Sequence, residues 1–302
     1  MLYLNYLVKK SVVRIRQKMA ARLGSASYWT SFMVANDDWP NAEASLEHFL
    51  WRNAQYPGYI ELMPVCGADG LVVVDYGCGP GNDLVGFSEF SKPAKLIGID
   101  VSPTALAASK KRLALHGKSA DLVCINENEN LIPLETGSVD LVHTSGVLHH
   151  AANLEAAIKE IHRILKPGGK LRVMVYNYDS LWLHLHTAYV YQIEMGLCSD
   201  RTILEAFRRT TDGPYCPISN CYRPPEFLRL VERMGLSGVF KGAAMSLQEL
   251  ELLPKLYSAI KDNRLPREHR EFLTALQFNQ SGHPTINGVI AGQDACYEFT
   301  KS

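Results

Sequence analysis

The chain has 302 residues, and its 31 lysines and arginines balance its 31 aspartates and glutamates, so the formal net charge is zero. A hydrophobic content of 47% and a charged content of 21% are those of a folded globular protein and exclude a disordered chain. The sequence contains no run of the roughly 18 apolar residues that cross a bilayer, and no secretory leader is predicted.

The basic residues are concentrated at the start of the chain. Residues 1–36 hold six lysines and arginines and no acidic residue, so the other 266 residues carry a net charge of −6 (0 − 6). Apolar residues recur every three or four positions up to Gly24, which predicts an amphipathic helix. Such a helix packs on the protein's own body, on a second copy in a homodimer, or on an anionic membrane surface. The acidic remainder argues against a broad nucleic-acid-binding face.

A second helical pattern covers residues 37–64. Its apolar stripe consists of Leu46, Phe49, Leu50 and Trp51. Residues 1–64 are therefore predicted to form a helical N-terminal extension that caps the main domain, residues 65–302. The aromatic side chains of residues 25–62 are candidates for the wall of a substrate site, because specificity usually resides in segments outside a conserved core fold.

Short β-branched runs follow at regular intervals. Five of them predict strands, at 71–75, 96–100, 120–125, 139–143 and 170–176. Helical patterns separate these runs at 83–91, 103–116 and 153–165. Two further strands are predicted near 237–245 and 295–300, after insertions at 177–223 and 246–288. The alternation predicts an α/β fold: a Rossmann-like, doubly wound, mostly parallel seven-stranded sheet with helices on both faces.

The strongest chemical signal is the segment 74–81, which follows the first strand and opens a helix. It carries glycine at alternate positions, as Gly77, Gly79 and Gly81. Glycine lets the backbone turn tightly and approach a ligand, at the sheet edge where open α/β folds bind ligands. The second strand ends in Asp100, 19 residues after Gly81. A carboxylate there can accept hydrogen bonds from both hydroxyls of a ribose.

Five motifs make the chain resemble the class I S-adenosylmethionine-dependent methyltransferases, in the subgroup with a small-molecule methyltransferase domain. They are Val-Asp-Tyr-Gly-Cys-Gly-Pro-Gly at 74–81, Ile-Gly-Ile-Asp-Val-Ser at 97–102, Leu-Ile-Pro-Leu-Glu-Thr-Gly-Ser-Val-Asp-Leu-Val at 131–142, Gly-Val-Leu-His-His at 146–150 and Ile-Leu-Lys-Pro-Gly-Gly-Lys-Leu at 164–171. The resemblance covers about residues 70–178 and implies S-adenosylmethionine as the cofactor. An NAD-dependent oxidoreductase would share the glycine turn but not the three later motifs.

The resemblance implies a cofactor site at the ends of the first two strands. Its residues would be Asp75, Gly77, Cys78, Gly79, Gly81, Asp100 and Val101. Asp75 would hold the amino end of the cofactor, Asp100 the ribose, and Val101 would pack on the adenine. Gly77 and Gly79 would lie against the methionine part.

Three further cofactor contacts are implied later in the chain. The family commonly places a carboxylate before the Leu-Pro segment, where it accepts a hydrogen bond from the adenine amine. Here that place holds Asn128, followed by Glu129. An asparagine oxygen can accept the same bond without charge, or Glu129 can take the role if the loop shifts. Thr144 would line the floor beneath the sulfonium.

The reaction implied by the resemblance is a direct displacement at a methyl group. The protein has to hold a nucleophile in line and remove its proton. His149 follows the fourth strand, where the active site of the family opens, and histidine can act as a base near neutral pH. Its neighbour His150 is interpreted as a structural residue. Tyr178 and Asp212, in the polar first insertion, are the other candidate catalytic residues.

No metal site is predicted. His184, His186 and Asp212 come nearest to a ligand set, but a His-x-His pair on a helix points its rings to different faces. The seven cysteines are scattered, which is typical of free thiols in a cytoplasmic protein.

The motifs together predict methyl transfer from S-adenosylmethionine to the oxygen or nitrogen of a small-molecule acceptor. Two alternatives stay open: an acceptor that is a sugar or lipid-linked glycan, and a non-catalytic cofactor-binding partner subunit. A nucleic-acid substrate is not expected. DNA amino-methylating enzymes of this fold carry an Asn/Asp-Pro-Pro-aromatic motif after the fourth strand, where residues 143–147 read His-Thr-Ser-Gly-Val.

Overall fold

The computed structural model describes residues 17–32, 38–126 and 131–302. The helix predicted for residues 1–24 falls partly outside the described residues, because positions 1–16 are not among them. Residues 17–22 are helical. Three short helices follow: α1 (Ser25–Ser31), α2 (Ala42–Ala54) and α3 (Tyr59–Leu62). In the described part of the chain, no helix has the length and apolar character needed to cross a bilayer.

Eleven strands are found in the described residues. They are β1 (Val72–Tyr76), β2 (Lys95–Asp100), β3 (Asp121–Cys124), β4 (Val139–Ser145), β5 (Leu165–Asn177), β6 (Cys221–Tyr222), β7 (Leu236–Ala244), β8 (Gln277–Phe278), β9 (Pro284–Ile286), β10 (Val289–Ile290) and β11 (Asp294–Lys301). The main sheet has the order β3-β2-β1-β4-β5-β11-β7, and β6 pairs with the end of β5. β8, β9 and β10 form a separate antiparallel sheet.

The main sheet confirms the predicted mostly parallel α/β fold. β1 to β5 are parallel to their neighbours, and only β11 runs antiparallel, between β5 and β7. Val73 and Val74 of β1 are fully buried, because helices cover both faces of the sheet. The sequence predicted the seven strands of this path but neither the two-residue β6 nor the small sheet.

Helices connect the strands of the main sheet. They are α4 (Asn82–Phe90), α5 (Pro103–Leu115) and α6 (Leu154–Ile164), then α7 (Ile203–Phe207) and α8 (Pro224–Glu232). The start of α5 is fixed by two local features. The Ser102 side chain accepts a hydrogen bond from the Ala105 amide at 3.2 Å, and Pro103 occupies the first helical position. This start places α5 directly after the aspartate that ends β2.

The two insertions pack on each other and form one unit, which we call the cap (residues 178–223 and 245–293). The first contains a 13-residue π-helix, Trp182–Glu194, and the second contains α9 (Leu247–Leu250), α10 (Leu256–Lys261) and α11 (Arg267–Ala275). Leu185 of the π-helix and Leu265 and Leu273 of the second insertion belong to one apolar cluster. The sequence predicted the insertions but not the π-helix or this shared core.

The apolar stripe predicted for residues 37–64 is only partly correct. Phe49 is buried against α4, whereas 52% of Leu50 and 59% of Trp51 are exposed. α2 packs on α4 and α5 with a single narrow face, so neighbouring residues on the helix cannot all point inward. The helical stretch is also interrupted at Gly58, which has a φ of 83°.

Candidate active site

The sheet edge at which the parallel strands end opens into a cavity of about 580 Å³. Three parts of the chain line it: the loops after β1, β2 and β4, the helices α1 to α3, and the cap. Cavities of this size are typical of small-molecule sites. The prediction that aromatic residues of positions 25–62 border the site holds for Trp29, Tyr56 and Tyr59, and Phe32, which was not predicted, lines it as well.

The turn after β1 exposes its backbone to the cavity. Gly77, Gly79 and Gly81 have φ angles of 78°, 51° and 84°, which residues with a side chain adopt only at a cost. A Cβ on Gly77 would overlap Val147, and one on Gly81 would lie 2.6 Å from the Ser109 hydroxyl. Gly79 faces open space instead. The turn is therefore packed from behind, and its front is open to a ligand.

Asp100 links the ends of β1 and β2. Its Oδ2 accepts a hydrogen bond from the Gly79 amide at 2.9 Å, and its Oδ1 accepts one from the Ser102 amide at 2.8 Å. The carboxylate also lines the cavity. Each carboxylate oxygen has a second lone pair, so both can still accept a hydrogen bond from a ribose hydroxyl. Val101 and Ile125 line the cavity beside it and offer an apolar surface to a purine.

Asp75 contributes a buried acceptor to the same end of the cavity. Its residue is 2% exposed, and its Oδ2 has no hydrogen-bond partner among the described residues. Burial is the main cause that raises the pKa of this carboxyl, and the neighbouring Asp83 adds to it. An unsatisfied buried oxygen is costly unless a ligand completes it. The ammonium group of S-adenosylmethionine is a donor that fits this position.

A buried ion pair lies directly behind Asp75. Asp83 receives Arg52 Nη1 at 3.3 Å and lies 3.2 Å from His143 Nε2. Although burial opposes ionisation, these two partners hold the pKa of Asp83 below its usual value. Asp83 is therefore an anion at neutral pH, and Arg52 is held at the cavity wall.

The other implied cofactor residues are placed as follows. Cys78 lines the cavity, and burial raises the pKa of its thiol. Thr144 is fully buried and does not line the cavity, because strand alternation turns it away, whereas Ser145 and Gly146 do line it. Asn128 and Glu129 lie outside the described residues. Gly81 does not line the cavity, whereas the remaining predicted cofactor residues do, namely Asp75, Gly77, Cys78, Gly79, Asp100 and Val101.

His150 and Asp212 meet in the wall of the same cavity, and both line it. His150 Nε2 lies 3.5 Å from Asp212 Oδ2, and its Nδ1 lies 2.5 Å from the backbone oxygen of Ile218. A carbonyl oxygen can only accept, so Nδ1 carries the proton and Nε2 of the neutral ring has a free lone pair. Burial is the main cause that lowers the pKa of His150, although Asp212 opposes it. The ring is therefore neutral at pH 7.

Asp212 is fixed by groups from distant parts of the chain. Tyr176 at the end of β5 donates its hydroxyl proton to the Asp212 carboxylate at 3.0 Å, and Ser219 donates at 3.3 Å. The Tyr28 hydroxyl donates to the Asp212 backbone oxygen at 2.6 Å. The carboxylate thus has a defined position beside His150.

Two sequence-based assignments need correction. His149 does not line the cavity: it is fully buried and stacks on Tyr176 with ring centroids 3.7 Å apart, and burial lowers its pKa well below the usual value. The 3₁₀ turn Leu148–His150 presents the second histidine to the cavity instead. Tyr178 is not brought to the cavity either, since its hydroxyl donates to Glu268 at 2.9 Å and its ring lies under Arg223.

Potential metal ligands occur in two groups of the described residues. The donor atoms of His149, His150 and Asp212 lie within 4.8 Å of one another, as do those of Asp75, Asp83 and His143. His184, which the sequence analysis weighed as a ligand, contacts His269 through their Nδ1 atoms at 2.9 Å. The absence of a metal in the reaction stays a prediction.

Two cavity residues, Arg52 and Tyr176, were not identified from the sequence. They belong to segments that are far apart in the chain and meet only in the folded protein. Asp294, which also lines the cavity, is the neighbour of Tyr176 in the pairing of β5 with β11.

Comparison with known proteins extends these observations. Residues 74–173 match the model of a methyltransferase domain family. A demethylmenaquinone methyltransferase of Lactococcus lactis is 32% identical over 126 residues, which cover 41% of this chain and 47% of the relative. A sterol 24-C-methyltransferase of Pneumocystis carinii is 31% identical over 154 residues, which cover 50% of this chain and 40% of the relative.

The solved structures agree with the fold. The YcgJ protein of Bacillus subtilis superposes with a TM-score of 0.51 at 16% identity, covering 84% of this chain and 98% of that chain. In the curated relatives, the matched segments span between about a third and about half of their length. Residues 74–173, which the family model matches, contain the glycine turn and end before the cap.

Proposed function

Residues 74–173 belong to the class I S-adenosylmethionine-dependent methyltransferase family, and on this premise we propose that the protein methylates the oxygen or nitrogen of a small-molecule acceptor. The acceptor lies in the same cavity as the cofactor, between the glycine turn and the cap. The observation that carries the proposal is the pair of His150 and Asp212, which both line this cavity, with His150 Nε2 3.5 Å from Asp212 Oδ2.

The cofactor end of the cavity is assigned first. When bound, S-adenosylmethionine supplies a methyl group on a positively charged sulfur, so no residue has to activate that group. The backbone of Gly77 and Gly79 and the carboxylate of Asp100 hold the cofactor, and Asp75 accepts from its amino end. The buried position of Asp75 supports this role, because its free oxygen gains a partner on binding.

His150 is the proposed general base. Its ring is neutral because burial lowers its pKa, and Nε2 can accept the proton that the acceptor loses as the methyl group is transferred. The Asp212 carboxylate, held by Tyr176 and Ser219, stabilises the imidazolium that forms. Such a base is useful for an oxygen or nitrogen nucleophile, which has a proton to release.

A small acceptor is supported by the shape of the cavity. Trp29, Tyr176 and Trp182 form aromatic walls around His150, and the opening is shared with the cofactor end. Aromatic walls exclude water and pack on an organic molecule. The names of the two relatives given above, a demethylmenaquinone and a sterol methyltransferase, likewise point to small organic acceptors for those proteins.

The proposal is tested by label transfer and calorimetry. With methyl-labelled S-adenosylmethionine and a cell extract, the wild type should place label in the fraction of small molecules. The variant His150→Gln should lower this transfer by at least about 100-fold, the size of a general-base effect. Binding of S-adenosylhomocysteine, measured by calorimetry, should stay unchanged because His150 lies at the acceptor end.

The controls separate a base from a structural or metal-binding role. His283→Gln alters a histidine that does not line the cavity and should retain full transfer. Addition of EDTA should leave transfer unchanged. Label found only in macromolecules, or full transfer by His150→Gln, would refute the proposal, and so would a wild type that fails to bind S-adenosylhomocysteine.

A further inference from the structure

Asp294 is a buried carboxylate that faces the acceptor end of the cavity. It begins β11, pairs in register with Tyr176 and is 6% exposed. Its carboxylate accepts no hydrogen bond and forms no ion pair with any residue that the structure describes. The strand order β1-β4-β5-β11 puts it three strand spacings, about 14 Å, from the strand that carries the glycine turn. Asp294 therefore belongs to the acceptor end.

The charges around Asp294 are mostly negative. Among the described residues that line the cavity there are five aspartates and one arginine. The arginine, Arg52, is bound to Asp83 and lies over the Tyr59 ring, so it acts on Asp294 only from a distance. Burial is the main cause that raises the pKa of Asp294 to about 7, while Arg52 opposes this rise and Asp212 adds to it. Glu249, behind the wall, is fully buried.

Asp294 thus has no ion-pair partner among the described residues, and with a pKa of about 7 its carboxyl group is only partly ionised at neutral pH. A buried carboxylate costs several kcal/mol unless a partner compensates it. A second anion brought into the cavity would be repelled by Asp294 and Asp212 together, whereas a cation would be attracted by both. His150 cannot supply the positive charge, because its ring is neutral at pH 7.

The walls near Asp294 are suited to an organic cation. Tyr56, Tyr176 and Trp182 line the same end of the cavity. The faces of aromatic rings attract an ammonium group and also pack on the apolar body to which it is attached. A carboxylate beside aromatic rings therefore matches an amine that carries a ring or a hydrocarbon part.

We propose that the methyl acceptor is an organic amine whose ammonium group is bound by Asp294, with the nucleophilic atom directed toward His150. The inference rests on the proposed function and adds the chemical class of the acceptor. Asp294 is an anchoring residue here: it selects the acceptor by charge and holds one end of it. The same carboxylate excludes acceptors that carry a phosphate or a carboxylate near that end.

Three small molecules of the same size test the charge selection. Tyramine, tyrosol and 4-hydroxyphenylacetate share a phenol and differ in the end group, which is cationic, neutral or anionic. Binding to wild-type protein saturated with S-adenosylhomocysteine is measured by calorimetry. We expect tyramine to bind at least tenfold more tightly than tyrosol, and 4-hydroxyphenylacetate to bind more weakly than both.

The variant Asp294→Asn should reduce the advantage of tyramine over tyrosol to less than threefold. Its affinity for S-adenosylhomocysteine should stay unchanged, which also verifies that the variant is folded. Glu298→Gln, on the same strand but paired with Lys170 and Arg172 outside the cavity, should keep the tenfold preference.

Three results would overturn the proposal. Tighter binding of tyrosol would indicate a neutral, hydroxyl-bearing acceptor, and tight binding of 4-hydroxyphenylacetate would indicate the absence of charge selection. Failure of all three to bind would also contradict an amine site. These outcomes are separate from the failure of the proposed function, which is read from cofactor binding and from label transfer by the His150 variant.

Discussion

The carboxylate of Asp100 accepts hydrogen bonds from the amides of Gly79 and Ser102 and also faces the cavity. It therefore orders the glycine turn and the start of α5 before any ligand binds. The position of this residue was predictable, because a strand end followed by a serine cap and a proline leaves little freedom in the local backbone.

Replacement of Asp100 by alanine should weaken cofactor binding. Hydrogen bonds to a charged group contribute about 1.5–3 kcal/mol, so we expect about 10- to 100-fold lower affinity for S-adenosylhomocysteine in calorimetry. Asp121→Ala serves as the control. It removes an exposed ion pair between Asp121 on β3 and Lys95 on β2, and the variant should bind S-adenosylhomocysteine as the wild type does. Equal affinity of the Asp100 variant would remove this residue from the cofactor site.

The two adjacent histidines show where residue-scale prediction ended. His149 and His150 have the same sequence environment, and the sequence favoured the first. Which of them faces the cavity depends on the 3₁₀ turn after β4 and on Tyr176, which covers the His149 ring. Both determinants are set by tertiary packing, and the partner Asp212 is 62 residues away from His150 in the chain.

Among the secondary-structure elements, the glycine turn carries the tightest packing. Gly77→Ala would drive a methyl group into Val147 and also forces a φ of 78° on a residue with a side chain. Gly79→Ala meets no neighbouring atom and retains only the conformational cost, about 1 kcal/mol. We expect the melting temperature to fall clearly more for Gly77→Ala. The addition of Val147→Ala should restore part of the loss, and a Gly79 variant that is equally destabilised would contradict this packing argument.

The cap helix α9 contains an acid that should make stability depend on pH. Glu249 accepts from the Ser246 amide as part of a capping box, while its Oε1 is buried without a partner among the described residues. Burial raises its pKa to about 8. Between pH 4.5 and 8 the folded protein therefore binds a proton that the unfolded chain has lost, and stability falls as pH rises.

Glu249→Gln keeps the hydrogen bond from the Ser246 amide at the start of α9 and removes the dependence of stability on pH. The free energy of unfolding of the variant minus that of the wild type should be at least about 1.4 kcal/mol larger at pH 8 than at pH 5. This change corresponds to a difference of one pKa unit. Denaturant unfolding at the two pH values measures the difference. The exposed capping box of α7 provides a matched control, since Glu205→Gln should show no such gain. A difference that stays constant with pH would refute the assignment.

The central strands and helices were largely predictable from the sequence, whereas the cap was not. The run Val72–Val74 of β1 is apolar because both faces of the strand are buried, and this pattern can be recognised without knowing which strands lie beside it. The cap instead depends on contacts between two insertions that are separated by α8 and β7. Its π-helix has no simple periodicity, and its core exists only after both segments are in place.

At the scale of the whole molecule, the charge asymmetry of the sequence corresponds to a division of roles. Five aspartates are among the described residues that line the cavity, and all of them belong to the acidic part of the chain after residue 36. Residues 1–36 contain no acidic residue. Among the described residues before position 33, Ser25, Trp29 and Phe32 line the cavity, whereas the basic residues Lys18 and Arg22 do not. We therefore expect the basic segment, residues 1–24, to be separate from the site, while the aromatic residues after it are part of its wall.

Removal of residues 1–24 should consequently leave the affinity for S-adenosylhomocysteine unchanged. Trp29→Ala, by contrast, removes a ring that contacts His150 at 4.8 Å between centroids and should lower label transfer to small molecules. Calorimetry and the transfer assay measure the two effects. Loss of cofactor binding in the shortened protein would place the basic segment in the wall of the site.

The order of strands in the sheet has a consequence for the nascent protein. β11 leaves the ribosome after the other described strands of the main sheet, yet it occupies an interior position between β5 and β7. From the end of β4 to the end of β11 the ribosome adds 156 residues (301 − 145), which takes about 8–30 s. During that time the half of the sheet with the glycine turn can already form, while β11, which begins with Asp294, has not yet been added to the chain. A messenger RNA that is truncated within the codons of β11 would therefore release a protein that retains the half of the sheet with the glycine turn. Its sheet would have an open edge at β5, and such an edge is prone to associate with other chains.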